Sequence, residues 1–227
     1  MRAAIPVITL DGPGGVGKGT LGRLLAQSLG WHLLDSGAIY RALAYAARAQ
    51  GVADQDVPAL ADMARTLPLH FQDDAGQTRV LLAGEPIDEA IRQPEIGEMA
   101  SRLAVHPAVR AALLERQRAF RAAPGLVADG RDMGTVVFPD APLKVFLTAS
   151  VEERAKRRLK QLNEQGVNAS LSAVKTEIAA RDERDRQRSV APLQPAADAR
   201  VLDTSGQSVS ETLSVLNGWI KATFEEN

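Results

Sequence analysis

Residues 11–20 of this 227-residue chain read Asp11-Gly12-Pro13-Gly14-Gly15-Val16-Gly17-Lys18-Gly19-Thr20. The spacing of Gly12, Gly17 and Lys18 matches the G-x-x-x-x-G-K pattern of a phosphate-binding loop. The apolar run at 5–10 predicts a buried strand before it, and the leucines at 21, 24, 25 and 29 predict a helix after it. This strand, loop and helix order is the context that the motif requires, and residues 12–20 are called the phosphate loop below.

The phosphate loop predicts a cradle for a triphosphate. Glycines let successive backbone N–H groups turn inward, the helix N-terminus adds partial positive charge, and Lys18 brings an ammonium to the outer phosphates. A purely structural turn is the alternative, but it needs one or two glycines, whereas four lie at 12, 14, 15 and 17 and a fifth at 19. Gly19 displaces the usual hydroxyl to Thr20, so we predict Mg²⁺ held mainly by water and nucleotide oxygens, with no direct protein ligand assigned.

Composition narrows the class of protein. A hydrophobic content of 45% is ample for a core, and a net charge of −1 argues against a surface devoted to nucleic acid or anionic lipid. The absence of cysteine removes disulfides and Cys-ligated zinc, and the three histidines are scattered. No apolar run approaches the roughly 20 residues of a membrane span. We therefore expect a cytoplasmic protein with no membrane segment and no nucleic-acid partner.

Short apolar runs alternate with helical patterns along the chain. Four further strands are predicted at 31–34, 126–128, 143–148 and 200–202, and helices at 37–50, 107–122, 151–165, 170–185 and 208–224. Such alternation is typical of a parallel sheet covered by helices on both faces. Residues 69–71 and 78–82 flank Asp73-Asp74-Ala75-Gly76 and predict a hairpin, followed by a turn at 83–86 and a helical exit at 95–105. This hairpin region interrupts the alternation as a small β insertion.

Polar side chains follow two of the predicted strands, where ligands of open parallel sheets collect. After the second strand, Asp35 or Ser36 can cap the next helix, and Arg41 lies further along it. After the third strand comes Asp129-Gly130-Arg131-Asp132-Met133-Gly134. Arg131 and Asp132 could simply neutralise each other at a surface turn, but the flanking glycines favour a backbone that a ligand approaches closely.

Two basic stretches form a third candidate region. The first holds Arg154, Lys156, Arg157 and Arg158, and the second holds Arg181, Arg184, Asp185, Arg186 and Arg188. A helix extended over the second stretch places Arg181, Asp185 and Arg188 on one face. A solvated, salt-bridged face is the alternative, yet beside a triphosphate cradle we favour an arginine lid that stabilises a phosphoryl group in transfer.

The arginines favour a phosphate acceptor over an alcohol. A phosphate oxygen is already ionised near pH 7 and needs no general base, but bringing two polyanions together needs cations. Lys18, Arg41, Arg131 and Arg188 are therefore the predicted catalytic residues.

Four stretches together resemble bacterial cytidylate kinases: residues 12–20, residues 34–41, Asp129-Gly130-Arg131-Asp132-Met133-Gly134-Thr135, and residues 181–186. The similarity spans nearly the whole chain. It implies a P-loop kinase with a parallel five-stranded sheet, transfer of the ATP γ-phosphate to CMP or dCMP with Mg²⁺, pyrimidine nucleotide metabolism and a cytoplasmic monomer. It also implies one domain over 1–227, with a core (1–62, 108–153 and 189–227), an acceptor-binding insertion (63–107) and a lid (154–188).

The resemblance also implies residue roles. The phosphate loop and Arg158 are predicted to bind ATP. Predicted acceptor contacts fall into three groups: Ser36, Arg41 and Arg131 around the phosphate; Ser101, Arg110 and Asp132 on the cytosine; and Arg181, Asp185 and Arg188 on the ribose and in closure. Cytosine offers an amine donor that suits the Asp132 carboxylate, whereas uracil presents the wrong pattern. Ser101 and Arg110 could instead be ordinary surface residues.

Other functions remain open from the residues alone. Another small kinase of this fold could act on AMP, UMP or an alcohol such as shikimate. A nucleotide-binding switch is a second alternative, although no Asn-Lys-x-Asp guanine-reading signature is present. Nucleic-acid binding by the basic helices is a third, disfavoured by interleaved acids and few aromatics.

Overall fold

The computed structural model describes residues 5–74, 77–164 and 166–224. The chain divides into two compact units. The sheet unit comprises Met1–His32 and Arg121–Asn227, and the inserted unit comprises Leu33–Phe120.

The described strands and helices follow in chain order. The strands are β1 (Val7–Asp11), β2 (His32–Asp35), β3 (Leu69–Asp74), β4 (Gln77–Leu82), β5 (Glu85–Pro86), β6 (Leu126–Asp129), β7 (Leu143–Thr148) and β8 (Arg200–Asp203). The α-helices are α1 (Lys18–Leu29), α2 (Ser36–Ala49), α3 (Val57–Thr66), α4 (Pro94–Leu103), α5 (Pro107–Arg118), α6 (Val151–Glu164), α7 (Leu171–Arg186) and α8 (Val209–Phe224). A 3₁₀ turn spans Ala90–Arg92 and a π-helical turn spans Met133–Val137.

The main sheet has the strand order β2-β6-β1-β7-β8. Strand β1 pairs in parallel with β6 and with β7, and β7 pairs in parallel with β8. All five residues of β1 are buried, as expected for the central strand of a sheet covered on both faces. The predicted parallel five-stranded sheet is confirmed, and all five of its strands lie where the sequence predicts them, within one or two residues.

The parallel order decides where the site forms. Because β6, β1 and β7 are neighbours that point the same way, the segments that follow them lie along one edge of the sheet. These segments are the phosphate loop, the stretch from Asp129 to Gly134, and the turn that leads into α6. A sheet edge of this kind is where open α/β folds bind their ligands.

In the inserted unit, β3 and β4 form the predicted antiparallel hairpin. Its tip at 75–76 lies outside the described residues. The predicted turn at 83–86 is partly wrong, because Glu85 and Pro86 pair with β4 as the short strand β5. The predicted limits of the core, insertion and lid stay predictions.

Helix α3 has no counterpart in the sequence prediction. Asp56 caps it by accepting a hydrogen bond from the Ala59 amide at 3.2 Å. Its buried residues are Leu60, Ala61 and Ala64, two of them alanines, so the apolar stripe is faint in the sequence. The apolar residues of α3 are buried by contact with α5, which the sequence pattern does not indicate.

Candidate active site

The phosphate loop passes directly over β7. Gly12 has φ +145°, and a Cβ placed on it would lie 2.1 Å from the carbonyl oxygen of Leu147. Gly15 has φ +83°, and its Cβ would lie 3.1 Å from the Cβ of Arg154 in α6. Both glycines therefore meet a backbone and a space requirement that other residues do not satisfy.

Lys18 begins α1 and folds back over the loop that precedes it. Its buried Nζ donates to the carbonyl oxygens of Gly12 at 2.9 Å and Pro13 at 2.8 Å. Burial, together with the charges of Arg131 and Arg181, lowers the pKa of Lys18 to about 7, against the opposing effects of Asp129 and Asp11. The charges of Arg131 and Arg181 thus act on this ammonium, and such cations favour an incoming polyanion.

Arg131 lies beside the same loop. Its Nη2 is 3.6 Å from where a Cβ on Gly14 would stand, and its Nη1 donates to the Gly130 carbonyl at 3.1 Å. Burial opposes the charge of this guanidinium, but Asp185 and Asp129 outweigh burial and raise the pKa of Arg131. The side chain is therefore a permanent cation next to the phosphate loop.

Asp185, in the last turn of α7, joins two of the predicted arginines. One carboxylate oxygen accepts from Arg131 Nε at 3.0 Å, and the other accepts from Arg188 Nη2. Burial raises the pKa of Asp185, but Arg131, Arg188 and Arg181 hold it below its usual value. Arg181, Asp185 and Arg188 do not share one helical face as predicted, because α7 ends at Arg186. Arg188 lies in the segment after the helix, from which its side chain reaches Asp185.

Two arginines at the basic start of α6 are engaged by protein groups. Arg154 is 3% exposed and binds Asp182 through two nitrogens at 3.1 and 2.5 Å. Arg157 donates to the carbonyl oxygen of Thr204 at 2.6 Å. These two arginines bind protein groups and act as structural braces. Arg158 is half-buried on the same helix, and its contact with ATP stays a prediction.

Asp11 is a site residue that the sequence reasoning missed. At the end of β1, its two carboxylate oxygens accept from the amides of Met133 and Gly134, each at 2.8 Å. Burial raises the pKa of Asp11 to about 7, although these amide hydrogen bonds oppose the shift. The contacts fix the π-helical turn directly after Asp132. Its only signal in the sequence is an acid at the end of an apolar strand, immediately before the glycine motif.

In the inserted unit, Asp35 and Ser36 have different roles. Asp35 caps α2 by accepting from the Ala38 amide at 3.0 Å. Ser36 is buried, and its hydroxyl donates to the Gln117 side-chain oxygen at 2.8 Å. Of the two candidate caps, the structure selects Asp35.

Ser101 in α4 and Arg110 in α5 are 3% and 8% exposed, so the surface alternative for them is wrong. Arg110 Nη1 donates to the Ala104 carbonyl at 3.2 Å, and its guanidinium carbon lies 5.8 Å from the Tyr40 ring centroid. Arg41 is half-buried on α2. Arg110 is therefore a buried cation of the inserted unit with partners in α4–α5 and α2.

Comparison with known proteins identifies the family. The model of the family described as cytidylate kinase matches residues 8–221. The chain belongs to the cytidylate kinase family.

Individual relatives agree with this assignment over nearly their full length. A cytidylate kinase of Pseudomonas syringae pv. tomato is 59% identical over 94% of this chain and 94% of its own. Those of Aeromonas hydrophila subsp. hydrophila and Methylococcus capsulatus are each 57% identical, over 94% and 95% of this chain and 93% and 96% of their own. The resemblance inferred from four short stretches is confirmed.

Within the sheet unit, the structure brings together the phosphate loop, Lys18, Arg131, Asp185 and Arg188. Asp132 is buried at the start of the π-helical turn. Ser36, Arg41, Ser101 and Arg110 all belong to the inserted unit. The individual roles of these residues toward nucleotides stay predictions.

Across 5–74, 77–164 and 166–224, no group of three or more His, Cys, Asp and Glu side chains is arranged to hold a metal ion. Over the same ranges, no helix combines the length and apolar character needed to cross a membrane.

Proposed function

We propose that this cytidylate kinase family member transfers the γ-phosphoryl group of ATP to the phosphate of CMP or dCMP, giving CDP or dCDP and ADP. The observation that carries the proposal is the convergence of buried cations on a phosphate loop. Lys18 and Arg131 both lie against the loop, and burial together with the charges of Arg131 and Arg181 lowers the pKa of Lys18. Such a field favours two bound polyanions.

The donor side of the reaction is assigned to the phosphate loop. Its inward amides and the N-terminus of α1 bind the outer phosphates of ATP. Lys18 exchanges its carbonyl partners for phosphate oxygens, which restores its charge by raising its pKa. The ammonium then offsets the negative charge that develops on the leaving ADP.

The acceptor needs no general base in this scheme. An ionised oxygen of the CMP phosphate attacks the γ-phosphorus, a new P–O bond forms, and the bond to the β,γ-bridging oxygen breaks with its electrons passing to ADP. Arg131 is assigned to binding the donor and acceptor phosphates during transfer. It stays charged because Asp185 and Asp129 raise its pKa. Catalysis on this view is positioning and electrostatic stabilisation.

The acceptor-binding residues are proposed from the family resemblance and supported by burial. Asp132 is 4% exposed, and a buried carboxylate that accepts from the cytosine amine would face an unfavourable carbonyl oxygen in uracil. Ser101 and Arg110 are assigned to the same base, and Ser36 and Arg41 to the acceptor phosphate. Arg181, Asp185 and Arg188 are assigned to the ribose, with the arginines moving from Asp185 to substrate as the site closes.

Mg²⁺ fits the residues beside the phosphate loop. The Asp129 Oδ2 is 3.7 Å from where a Cβ on Gly19 would stand, and Thr20 follows directly. A carboxylate and a hydroxyl at the loop suit a hard cation that keeps several waters. When bound, the ion would neutralise charge on the outer phosphates, and Asp129 and Thr20 would hold it through its waters.

The broader assignments follow from the same proposal. We assign the protein to the cytoplasm as a monomer with no nucleic-acid partner. Its one domain is divided into the core (1–62, 108–153 and 189–227), the acceptor-binding insertion (63–107) and the lid (154–188). Gel filtration with light scattering tests the monomer.

An acceptor panel tests the function. ADP release with ATP and Mg²⁺ is measured with CMP, dCMP, UMP, AMP or shikimate, and with no acceptor as control. The expected result is turnover with CMP or dCMP at a kcat/KM at least about tenfold above that of every other acceptor. Preference for another acceptor would replace the substrate assignment. Triphosphate binding without acceptor-dependent ADP release would instead support a nucleotide-binding switch.

A further inference from the structure

Arg154 ties three segments of the sheet unit together. Its Nε donates to the Ala149 carbonyl at 3.1 Å, in the turn before α6, and its Nη1 donates to the Gly14 carbonyl at 3.1 Å. Nη1 and Nη2 bind the two oxygens of Asp182 in α7 at 3.1 and 2.5 Å. One buried guanidinium thus connects the phosphate loop to the arginine-bearing helix.

A second arginine of α6 supports the outer side of the loop. Arg157 Nη1 lies 3.5 Å from the Val16 carbonyl oxygen, which also accepts from the hydroxyl of Thr204 at 3.2 Å. The inward amides of a phosphate loop leave its carbonyls directed away from the phosphates. The carbonyl oxygens of Gly14 and Val16 accept hydrogen bonds from two arginines about one helical turn apart on α6, Arg154 and Arg157.

Helix α7 is anchored twice, by acids three residues apart. Asp182 binds Arg154, and Asp185 binds Arg131. The two anchors differ in exposure: Arg154 and Asp182 are each 3% exposed, whereas Arg131 is 17% exposed beside the loop. A substrate phosphate can therefore compete for Arg131, but it cannot reach the Arg154–Asp182 pair without opening the fold.

We propose that Arg154 and Asp182 are positioning residues that fix the position of the phosphate loop relative to the end of α7. The inference rests on the proposed function, since its purpose is to keep Lys18 and the α7 arginines directed at the same phosphates. When Asp185 yields Arg131 to substrate, the Arg154–Asp182 pair keeps α7 in place. The pair touches no substrate and acts through the groups it positions.

The Arg154–Asp182 pair positions these segments through the geometry of its hydrogen bonds more than through its charge. A guanidinium can meet Ala149, Gly14 and both oxygens of Asp182 at once because its donors form a fixed fork. A lysine offers a single ammonium and cannot span these acceptors. Arg154→Lys therefore keeps the charge but loses the connection.

Steady-state kinetics with CMP and ATP test the proposal on Asp182→Asn, Arg154→Lys and the double variant Arg154→Met/Asp182→Leu. The expected kcat loss is at least about tenfold in each, with the KM of either substrate changed less than about threefold. The double variant removes the charge pair and refills the space with apolar groups, which buried ion pairs often tolerate. It keeps the test valid if a single variant folds poorly.

The matched control is Glu183→Gln, the same change one residue along α7. Glu183 is exposed and pairs with two near neighbours in the chain, Arg186 in α7 and Gln187 just after it. Rates are normalised to the folded fraction from circular dichroism. A kcat within about twofold of wild type in folded Arg154→Lys or in the double variant would overturn the proposal, as would equal losses in Glu183→Gln.

Hydrogen exchange separates this inference from the proposed function. Amides of the phosphate loop and of the last turns of α7 are expected to exchange at least about tenfold faster in Asp182→Asn than in Glu183→Gln, with no substrate needed. Inactivity of wild type toward CMP would refute the proposed function. The hydrogen-exchange measurement would still test whether Arg154 and Asp182 hold the two segments in place. Unchanged exchange in both segments would refute the pair in an enzyme that still phosphorylates CMP.

Discussion

Asp185→Asn is the substitution whose effect follows most directly from the structure. The carboxylate is 1% exposed and accepts a charged hydrogen bond on each oxygen, from Arg131 and from Arg188. A hydrogen bond to a charged group contributes about 1.5–3 kcal/mol, and removing one partner of a buried ion pair costs about 3–5 kcal/mol. Asparagine keeps one acceptor but turns an amide donor toward a guanidinium. We expect a loss of about 3–5 kcal/mol in the free energy of unfolding at pH 7.

The assay is urea unfolding of both proteins without nucleotide, followed by far-ultraviolet circular dichroism at pH 7 and at pH 4 and below. Because Arg131, Arg188 and Arg181 lower the pKa of Asp185 against burial, its stabilisation is present above the unfolded value of 3.8. It is lost as the pH falls through the lower folded value, so the difference between the two proteins shrinks in acid. Glu183→Gln is the control and is expected to unfold like wild type.

A difference of less than about 1 kcal/mol at pH 7 would refute the argument, because it would mean that neither arginine depends on this carboxylate. A difference that stays constant down to the lowest pH would refute the ionic part alone. The measurement is independent of turnover, so a role of Asp185 in ribose binding does not affect it.

Four other substitutions have definite expected outcomes. Gly12→Ala forces a Cβ into the Leu147 carbonyl, so we expect loss of ATP binding by calorimetry and a lower urea midpoint; wild-type affinity would contradict the clash. Arg131→Ala should lower kcat/KM at least about tenfold, and near-normal turnover by folded protein would remove Arg131 from the mechanism. Asp132→Ala should weaken the preference for CMP over UMP, measured as a ratio of kcat/KM values; an unchanged ratio would exclude it as the base reader. Lys18→Met tests the lowered pKa of Lys18. The folded protein releases this proton near pH 7, whereas the unfolded chain keeps it up to about pH 10.5. Above about pH 7 the free energy of unfolding of wild type should therefore rise relative to that of the variant, by up to about 1.4 kcal/mol per pH unit. Parallel stability curves between pH 7 and 9 would contradict that shift.

The regular part of the fold was predictable from local patterns. The strands of the main sheet are short apolar runs bounded by turns, and burial on both faces makes such runs visible in a sequence. Helix α3 was not predictable in this way, because its buried face is mostly alanine and its stability comes from α5. The same reason explains the short strand β5, which exists only through pairing with β4.

The partners of the charged side chains could not be predicted. The basic start of α6 was interpreted as part of an arginine lid, yet Arg154 binds Asp182, 28 residues away in the chain. Asp11 binds amides 122 and 123 residues away. Helical spacing pairs charges three or four residues apart, but it carries no information about contacts between segments that only the sheet brings together.

By itself, the sequence determined the phosphate loop, the parallel sheet that carries it and the family, because glycine spacing and apolar periodicity are local properties of the chain. Only the tertiary structure decided which arginines are braces and which lie against the loop. A guanidinium has the same charge in either role, and what separates Arg154 from Arg131 is the acid that meets it and the exposure that remains: 3% for Arg154 and 17% for Arg131.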